Sequence, residues 1–556
     1  MTRLSIEETY KGRHVLVAGS SGFLGKVWLA MVLERLPDIG KLYLLVRDKG
    51  RGAESRFEKM LTESFVFKTL HEALGDKASE FISARVEIIA GDVSSPGLGI
   101  DEATTERLHR DVDLVLNIAG LVDFNPDVRA AVSSNIDGGL FVADFVEACD
   151  HAKLLHVSTC YVAGMRDGVI EETVSELTPN GRELNAEQEV AHLRQLIIDT
   201  AEENESPGVE ATLHREIIAR IHKRGLEPSE KRIGDMVVRL KRKRLREMMV
   251  KCGTDRAIEL GWPNTYTYTK ALAELLLAER EGLEHAVFRP AIVESASSYP
   301  FRGWNEGFNT SGPLVYLAES WLHHVPAQAG NALDIIPVDY VCNALLIVGA
   351  AVIQGDHEPV YQCGSSDRNF FPVERLIELS SLGHRQHLKK HGANALERLV
   401  MSRWDATPAE PEHALNISNI RAALKQAGRY FRLGRPEKLP SEVLEASDDL
   451  AKTADTARRK LRQIEDVLSL FTPFTYDHFL IFRCRAIEKH DVVEPLFRFE
   501  PEEIDWRVYW LQAHMPGLRR WSFPQYENGE TETYTPEHPF QMIAAEADET
   551  PRPRVG

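Results

Sequence analysis

A strand, a glycine-rich turn and a helix follow one another near the start of the chain, and this unit constrains the fold more than any other feature. Residues 15–18 are apolar and partly β-branched, which is typical of a buried parallel strand. From 26 to 36, apolar residues recur near helical spacing, which predicts a helix. The turn between them reads Gly-x-x-Gly-x-x-Gly from Gly19 to Gly25.

Glycines at a strand-to-helix turn let backbone N–H groups approach a phosphate at the positive end of the helix. The spacing is one residue longer than the dinucleotide fingerprint of dehydrogenases, so an ordinary glycine-rich turn is the alternative. The strand and the helix on either side favour the dinucleotide site. This interpretation assigns cofactor contacts to the whole turn: Gly19, Ser20, Ser21, Gly22, Phe23, Leu24 and Gly25.

Further short apolar runs alternate with helical segments along the first half of the chain. The chain has 556 residues, enough for two or three domains, and 43% of them are hydrophobic, so it can bury a large core. The alternation predicts an α/β fold with a doubly wound, parallel Rossmann-type sheet and right-handed crossovers. We predict the further strands at 41–47, 85–93, 113–120, 154–161 and 285–293.

The second predicted strand ends in Arg47. In this architecture the tip of the second strand lies beside the adenosine ribose, where an acidic residue suits a free 2′-hydroxyl and an arginine suits a 2′-phosphate. Arg47 therefore favours NADPH as the cofactor, with Ser20 as support. A solvated arginine at the end of the strand is the alternative.

Polar residues and glycines end the next strands at the same edge of the sheet. Asp92 can accept a hydrogen bond from the adenine amino group, although a helix cap or a turn explains this residue nearly as well. The segment 117–120 can line the nicotinamide ribose. Besides Asp92, the predicted cofactor contacts at this edge are Val93, Asn117, Ala119, Gly120, Arg289 and Pro290.

Hydroxyl groups and a tyrosine–lysine pair supply the candidate chemistry. Ser158 and Thr159 belong to the fifth predicted strand, near the sheet edge where open α/β sheets bind ligands. Tyr266 and Lys270 lie four residues apart and so share one face of a predicted helix. A free tyrosine has a pKa of about 10, and a nearby ammonium lowers that pKa, which would make Tyr266 a usable acid near neutral pH. Each pattern is common by chance, but their order along the chain predicts one catalytic site.

Composition excludes several other classes of protein. The formal net charge of −18 argues against a general nucleic-acid binder. The six cysteines form no CxxC pair and no His/Cys spacing suits a metal, so we expect reduced thiols, no metal site and a cytoplasmic protein. We expect no signal peptide, and the longest uncharged apolar run, 344–353, is too short to span a bilayer. Peripheral contact with a membrane stays open.

Composition also divides the chain. We predict a nucleotide-binding domain over 1–365 with a helical insertion at about 171–256, a smaller, mainly helical C-terminal domain over 366–526, and a disordered tail over 527–556. The insertion carries a basic run, 239–246, whose cations can meet CoA phosphates, a carrier protein or an anionic membrane. A solvated amphipathic helix is the alternative for this run.

Together the motifs resemble the extended short-chain dehydrogenase/reductases, and more closely the alcohol-forming fatty acyl-CoA reductases. The similarity covers roughly 10–365 well and 460–525 more loosely, and the insertion is longer than expected for plant and animal members. The stretches that carry the similarity are Gly22-Phe-Leu-Gly-Lys26, Leu44-Leu-Val-Arg47, His156-Val-Ser-Thr159, Pro263-Asn-Thr-Tyr-Thr-Tyr-Thr-Lys270, Ile336-Pro-Val-Asp-Tyr340 and Ile504-Asp-Trp506.

The resemblance implies NADPH-dependent reduction of a long-chain fatty acyl-CoA thioester, through an aldehyde, to a primary fatty alcohol. It implies that Tyr266 and a hydroxyl, Thr159 before Ser158, stabilise and protonate the oxyanion, and that Lys270 holds the nicotinamide ribose. An acyl carrier protein is the alternative to CoA as the acyl donor. Two other functions remain open: a reductase that releases the aldehyde, and a nucleotide-binding sensor without turnover. The tyrosine–lysine pair argues against the sensor.

Overall fold

A computed structural model gives the positions of most of the chain, and a parallel sheet lies at its centre. The described residues are 2–48, 50, 52–222, 229–307, 311–318, 324–391, 405–410, 468–526, 532 and 534–543, with isolated positions at 422, 425, 426, 458 and 462.

Seven parallel strands form the central sheet. They are β1 (His14–Ala18), β2 (Lys41–Val46), β3 (Val86–Ala90), β4 (Leu114–Asn117), β5 (Lys153–Val157), β6 (His285–Pro290) and β7 (Val360–Cys363). Their spatial order is β7-β6-β5-β4-β1-β2-β3, and every neighbouring pair is parallel. The chain changes direction across the sheet between β1 and β4, and open α/β sheets bind ligands at the carboxyl end of such a switch. The predicted fold class is confirmed.

Helices cover both faces of this sheet. Alternate residues of β1 enter different cores, with Val15 and Val17 on one face and Leu16 and Ala18 on the other. None of the helices in the described ranges combines the length and the apolar character needed to cross a bilayer. Those of seven or more residues are α1 (Phe23–Arg35), α2 (Ala53–Glu63), α3 (Lys68–Leu74), α4 (Ala78–Arg85), α5 (Glu102–Asp111), α6 (Gly138–Glu147), α7 (Ala186–Glu205), α8 (Pro207–His222), α9 (Glu230–Leu260), α10 (Thr265–Ala278), α11 (Gly312–Ala318), α12 (Val338–Gln354) and α13 (Val373–His391).

The strand predicted at 285–293 is two strands. β6 ends at Pro290, which has no N–H to continue the ladder. The next strand, Ile292–Glu294, pairs in parallel with Ile335–Pro337 in a small sheet of its own. A loop follows the strand Ile292–Glu294 and leads towards the C-terminal part of the chain, by which we mean the described residues from 366 onward.

The predicted insertion is helical in the structure and consists of α7, α8 and α9. In its basic run, Lys241 pairs with Glu205 at 2.7 Å and Arg244 pairs with Glu203 at 3.2 Å. Arg242 is exposed, so part of the run is neutralised within the insertion and part faces solvent. A small core holds α8 and α9 together, and it is formed by Ile217, Ile221, Ile233 and Val237.

The C-terminal part of the chain packs directly on the sheet domain. Leu480–Phe482 pairs in parallel with Gly168–Ile170, and His490–Val492 pairs in parallel with Thr2–Leu4. Apolar side chains from both parts join one hydrophobic core, so the proposed domain boundary near residue 365 stays a prediction. Short helical turns make up much of this part: Pro473–Asp477, Trp506–Tyr509, Trp510–His514, Met515–Gly517, Leu518–Ser522 and Phe523–Tyr526.

One stretch of the tail that we predicted to be disordered is packed in the structure. Phe540 is buried and meets Phe57 of α2 edge to face, with ring centroids 6.1 Å apart. The Met542 N–H donates a hydrogen bond to Glu58 at 2.8 Å. Phe540 and Met542 therefore lie against α2, which the acidic composition of the tail did not indicate.

Candidate active site

The glycine turn packs tightly on the end of β4 and on itself. Gly19 has a φ of +95°, and a Cβ there would lie 2.7 Å from the Ala119 nitrogen. A Cβ on Gly25 would lie 2.3 Å from the Gly19 carbonyl oxygen. A Cβ on Gly22, by contrast, would make only an ordinary contact of 3.5 Å. Protein packing therefore requires glycine at positions 19 and 25 but not at 22, and the contact of Gly22 with a phosphate stays a prediction.

Among the described residues, no side chain caps the first turn of α1, the helix end at which we predict the pyrophosphate. Gly22 is the N-cap residue, and it makes no side-chain hydrogen bond. Phe23 stacks on Trp304 with ring centroids 5.0 Å apart, and Lys26 forms a 2.6 Å ion pair with Glu306. Sequence reasoning had not connected these two partners with the site. The other predicted residues here are the buried Ser20, the exposed Ser21 and the partly buried Leu24.

Arg47 lies just beyond β2 and is exposed. Its carbonyl oxygen accepts a hydrogen bond from the guanidinium of Arg56 in α2. Asp48 Oδ1 accepts from the backbone N–H groups of Gly50 at 2.7 Å and Gly52 at 3.2 Å, which shapes the turn between β2 and α2. Two arginines therefore meet at the strand end where a 2′-phosphate is expected. Nothing in the sequence distinguished Arg56 from an ordinary arginine on a helix surface.

Asp92 follows β3, and its carboxylate is part of a turn. Oδ1 accepts hydrogen bonds from the Ser94 N–H at 3.0 Å and from the Ser94 hydroxyl at 2.7 Å. This geometry agrees with the alternative interpretation of Asp92 as a turn residue. The contact of Asp92 with adenine stays a prediction. Val93 packs against the hydrophobic core on the second face of the sheet.

Asn117 ends β4 and is buried. Its Oδ1 accepts from the Ala119 N–H at 3.2 Å, and its Nδ2 lies 3.2 Å from His156 Nδ1. These bonds shape the segment after β4, in which a Cβ on Gly120 would lie 2.9 Å from Lys270 Nζ. Gly120 therefore makes room for the lysine, and Asn117 acts on the site through the backbone.

The helix α10 begins with a side-chain cap that orients the tyrosine–lysine pair. Asn264 Oδ1 accepts a hydrogen bond from the Thr267 N–H at 2.9 Å. The Tyr266 N–H donates to the Phe124 carbonyl oxygen at 3.4 Å. Most of the helix is buried, so Tyr266 and Lys270 are held on a rigid element.

The four predicted catalytic residues come together at the carboxyl end of β5. Lys270 Nζ donates to the Val157 carbonyl oxygen at 3.0 Å. The Thr159 side chain interacts with the Tyr266 hydroxyl and lowers its pKa. The Ser158 hydroxyl is buried and has no hydrogen-bond partner among the described residues, so it is available to a ligand. The contact with Tyr266 favours Thr159, the hydroxyl that the resemblance placed first.

Burial controls the charge of this tyrosine and this lysine. It raises the pKa of Tyr266 to about 12, and the hydrogen bond from Thr159 offsets only part of that rise. It lowers the pKa of Lys270 to about 8, against the opposing effect of Glu274. Our expectation that Lys270 lowers the pKa of Tyr266 is therefore corrected, because burial dominates and the ammonium is directed at the Val157 carbonyl oxygen. Tyr266 remains a protonated phenol at neutral pH, which is the form a proton donor needs.

Asn135 was not predicted, and it ties the segment after β4 to α10. Its Nδ2 donates to Thr269 Oγ1 at 3.0 Å and to the Leu121 carbonyl oxygen at 3.3 Å. Its Oδ1 accepts from the Leu121 N–H at 2.8 Å. Asn135 lies in a π-helical turn, Val132–Asp137, a feature that is frequent at functional sites. A single buried asparagine has no sequence spacing that could have marked it.

Arg289 was predicted to contact the cofactor, and the structure corrects this for its side chain. Its Nε and Nη2 donate to Glu274 at 2.5–3.1 Å, and its Nη1 donates to the Thr173 carbonyl oxygen at 3.1 Å. Both members of this ion pair are buried, and most of the guanidinium donors are used within it. The side chain therefore supports the fold. Pro290 lies closer to the chemistry, since its carbonyl oxygen accepts from Thr159 Oγ1 at 3.5 Å.

Two aromatic rings extend in sequence from the ring of Tyr266. Phe124 meets it edge to face, with centroids 6.1 Å apart, and Phe471 meets Phe124 in the same way at 5.8 Å. Phe471 belongs to the C-terminal part of the chain and is buried. The C-terminal part therefore contributes an apolar wall near the site, which the sequence did not predict.

More than half of the chain matches the model of one protein family. A family model described as male sterility protein, with an NAD-binding domain, matches residues 17–345. The chain belongs to the male sterility protein family.

Relatives of this family match almost the whole chain. A probable fatty acyl-CoA reductase 4 of Arabidopsis thaliana is 28% identical over 529 residues, which are 91% of this chain and 96% of the relative. An alcohol-forming fatty acyl-CoA reductase of Simmondsia chinensis is also 28% identical, over 92% of this chain and 98% of the relative. The predicted resemblance to fatty acyl-CoA reductases is confirmed.

A solved structure shows the same fold. The terminal R domain from the myxalamid PKS-NRPS biosynthetic pathway superimposes with a TM-score of 0.52 and 16% identity. The match covers 91% of this chain and 90% of that domain, so the common architecture includes the C-terminal part.

Proposed function

We propose that this protein reduces long-chain fatty acyl-CoA thioesters with NADPH, through the aldehyde, to primary alcohols. One observation carries the proposal: Tyr266 lies within interaction distance of Thr159 at the carboxyl end of β5, where Lys270 donates to the Val157 carbonyl oxygen and the Ser158 hydroxyl has no partner among the described residues. Relatives named as fatty acyl-CoA reductases match more than nine-tenths of the chain, and one of them is named alcohol-forming.

The residues of the site fit the parts of NADPH. The glycine turn and the uncapped start of α1 would hold the pyrophosphate, because backbone N–H groups and the helix dipole favour an anion there. Arg47 and Arg56 would hold the 2′-phosphate, and Lys270 the nicotinamide ribose. When bound, NADPH supplies the hydride.

Tyr266 stabilises and protonates the carbonyl oxygen of the substrate. Its phenol carries the proton at neutral pH because burial raises its pKa to about 12. Thr159 orients the phenol, and the unpaired Ser158 hydroxyl can donate a second hydrogen bond to the same oxygen. The Lys270 ammonium offsets the negative charge that proton transfer leaves on the tyrosine.

The overall reaction balances over two reductions. One acyl-CoA, two NADPH and two protons give one primary alcohol, one CoA thiol and two NADP⁺. The hemithioacetal from the first reduction expels CoA thiolate and leaves the aldehyde, and Tyr266 acts again in the second reduction. The rings of Phe124 and Phe471 beside Tyr266 offer apolar contact to the acyl chain.

Product analysis tests this function. Purified protein is incubated with palmitoyl-CoA and NADPH, the products are identified by gas chromatography, and NADPH consumption is followed in parallel. We expect hexadecanol and two NADPH oxidised per thioester, with Tyr266→Phe as the inactive control. Accumulation of hexadecanal at one NADPH per thioester would instead support the aldehyde-releasing enzyme. Binding of NADPH without consumption, with CoA and with carrier-protein thioesters, would support a sensor.

A further inference from the structure

One histidine joins both ends of a loop in the sheet domain. The loop 295–307 follows the strand Ile292–Glu294, and Ser311 immediately precedes α11. His514, from the C-terminal part, has its Nδ1 3.0 Å from Ser295 Oγ and its Nε2 3.0 Å from Ser311 Oγ. A single imidazole ring therefore bonds to the first residue of the loop and to the residue that precedes α11.

The surroundings of His514 are buried and hydrogen-bonded. Burial lowers its pKa to about 3, so the ring is neutral at working pH and has one donor and one acceptor for the two serine hydroxyls. Asn305 Nδ2 donates to Ser295 Oγ at 2.8 Å. The Ser311 N–H donates to Glu294 at 2.7 Å. These bonds define one geometry for the two ends of the loop.

The loop also lies in direct backbone contact with the C-terminal part. A Cβ on Gly517 would lie 1.9 Å from the Gly303 carbonyl oxygen. A Cβ on Gly303 would lie 2.5 Å from the Ala513 carbonyl oxygen. Neither position accommodates a side chain, so the loop follows the shape of the segment that carries His514.

The other side of the loop touches the start of α1. Trp304 stacks on Phe23, with their rings within 11° of parallel. Glu306 pairs with Lys26, whose side chain is only 11% exposed. Phe23 and Lys26 belong to the first turn of α1, the end of the helix to which we assign the pyrophosphate of NADPH. The loop therefore connects His514 to the cofactor end of the site.

We propose that His514 is a positioning residue that holds the loop 295–307 against the first turn of α1 and thereby sets the affinity for NADPH. The identity of the ligand rests on the proposed function. Apolar packing alone could join the two parts of the chain, but it would not bond the two ends of one loop to the same ring. The bonds of His514 to Ser295 and Ser311 fix the position of the loop directly.

A purely structural role makes a different prediction. If His514 only stabilises the packing of the C-terminal part on the sheet domain, its replacement lowers the thermal stability and leaves the affinity for NADPH unchanged. If it positions the loop, the affinity falls as well. The two roles are separated by measuring the melting temperature and the NADPH dissociation constant of the same variants.

The test compares His514→Phe with Trp506→Phe by isothermal titration calorimetry with NADPH alone. Trp506 Nε1 donates to Asn369 Oδ1 at 2.9 Å, so its variant also loses a hydrogen bond of the C-terminal part while the bonds of His514 to Ser295 and Ser311 remain. We expect His514→Phe to weaken NADPH binding about tenfold, which is about 1.4 kcal/mol. We expect Trp506→Phe to stay within about twofold of the wild type. His514→Asn keeps one amide near Ser295 and should lose less affinity than His514→Phe.

A double-mutant cycle with Glu306→Gln adds a second criterion. Glu306 is exposed, so this variant should fold, and it removes the negative charge from the ion pair between the loop and Lys26. If both residues act through the loop, the losses in NADPH affinity from His514→Asn and Glu306→Gln are not additive. Wild-type affinity in both His514 variants, or full additivity, overturns the inference. A wild-type protein that binds no NADPH would instead contradict the proposed function.

Discussion

Replacement of Tyr266 by phenylalanine is the most direct probe of the proposed chemistry. The change removes the hydroxyl that interacts with Thr159 and keeps the ring that packs against Phe124. Lys270 donates to the Val157 carbonyl oxygen and not to the tyrosine, so the variant should leave the lysine in place. We therefore expect the loss to fall on catalysis rather than on cofactor binding.

The size of the effect follows from the role of the phenol. Loss of a general acid typically costs 10²–10⁴-fold in rate, or about 2.7–5.5 kcal/mol in the activation free energy. The free energy of unfolding should change by about 0.5–1.5 kcal/mol, because one hydrogen bond is lost and the ring remains. The dissociation constant of NADPH should stay within about twofold of the wild type.

The assay follows each reduction separately. Wild-type and Tyr266→Phe proteins are given NADPH with either palmitoyl-CoA or a long-chain aldehyde, and kcat and KM are measured for each substrate. Because one site is proposed for both reductions, kcat should fall for both substrates by a similar factor. A Tyr266→Phe protein that reduces the aldehyde at the wild-type rate would refute the single-site reasoning. The second reduction would then need a different proton donor.

Three further predictions concern charged residues. Arg47→Asp should weaken NADPH binding by about 1–3 kcal/mol and spare NADH, and equal losses for both cofactors would assign Arg47 to the fold. Neutralising Lys241, Arg242 and Lys243 together should raise the KM for acyl-CoA and reduce the dependence of that KM on salt concentration. An unchanged KM across salt concentrations would indicate that the basic run is only a solvated helix face. Since burial lowers the pKa of Lys270 to about 8, its charged form is present below that pH and lost above it. NADPH binding should therefore weaken above pH 8 in the wild type, and Lys270→Met should lose this pH dependence.

The sequence predicted the parts of the site that depend on local pattern. The glycine turn at 19–25 has its own spacing and neighbours, and the strands follow from apolar runs and their alternation with helices. Tyr266 and Lys270 could be paired because four residues along a helix return to the same face. These features need only residues that are close in the chain.

The remaining features depend on contacts between distant segments. The pKa of Tyr266 rises because the fold desolvates its phenol, an effect that the spacing of Tyr266 and Lys270 along the helix does not show. The position of Arg289 at the end of a strand predicted a cofactor contact, because its distant partner Glu274 cannot be identified from the sequence. Asn135 reaches Thr269 and His514 reaches Ser295, partners more than 100 positions away, so no spacing within the chain could reveal these contacts.

The pairing of Thr2–Leu4 with His490–Val492 has a consequence for synthesis on the ribosome. Ser5 and the Ile6 N–H bond to the same distant carboxylate, Glu494, at 2.5 and 3.0 Å. At about 5–20 residues per second, translation leaves this first strand without its partner for roughly 25–100 s. Until residues 490–492 have been synthesised, Thr2–Leu4 lacks the partner with which it pairs in the folded protein, and truncation before residue 490 removes that partner.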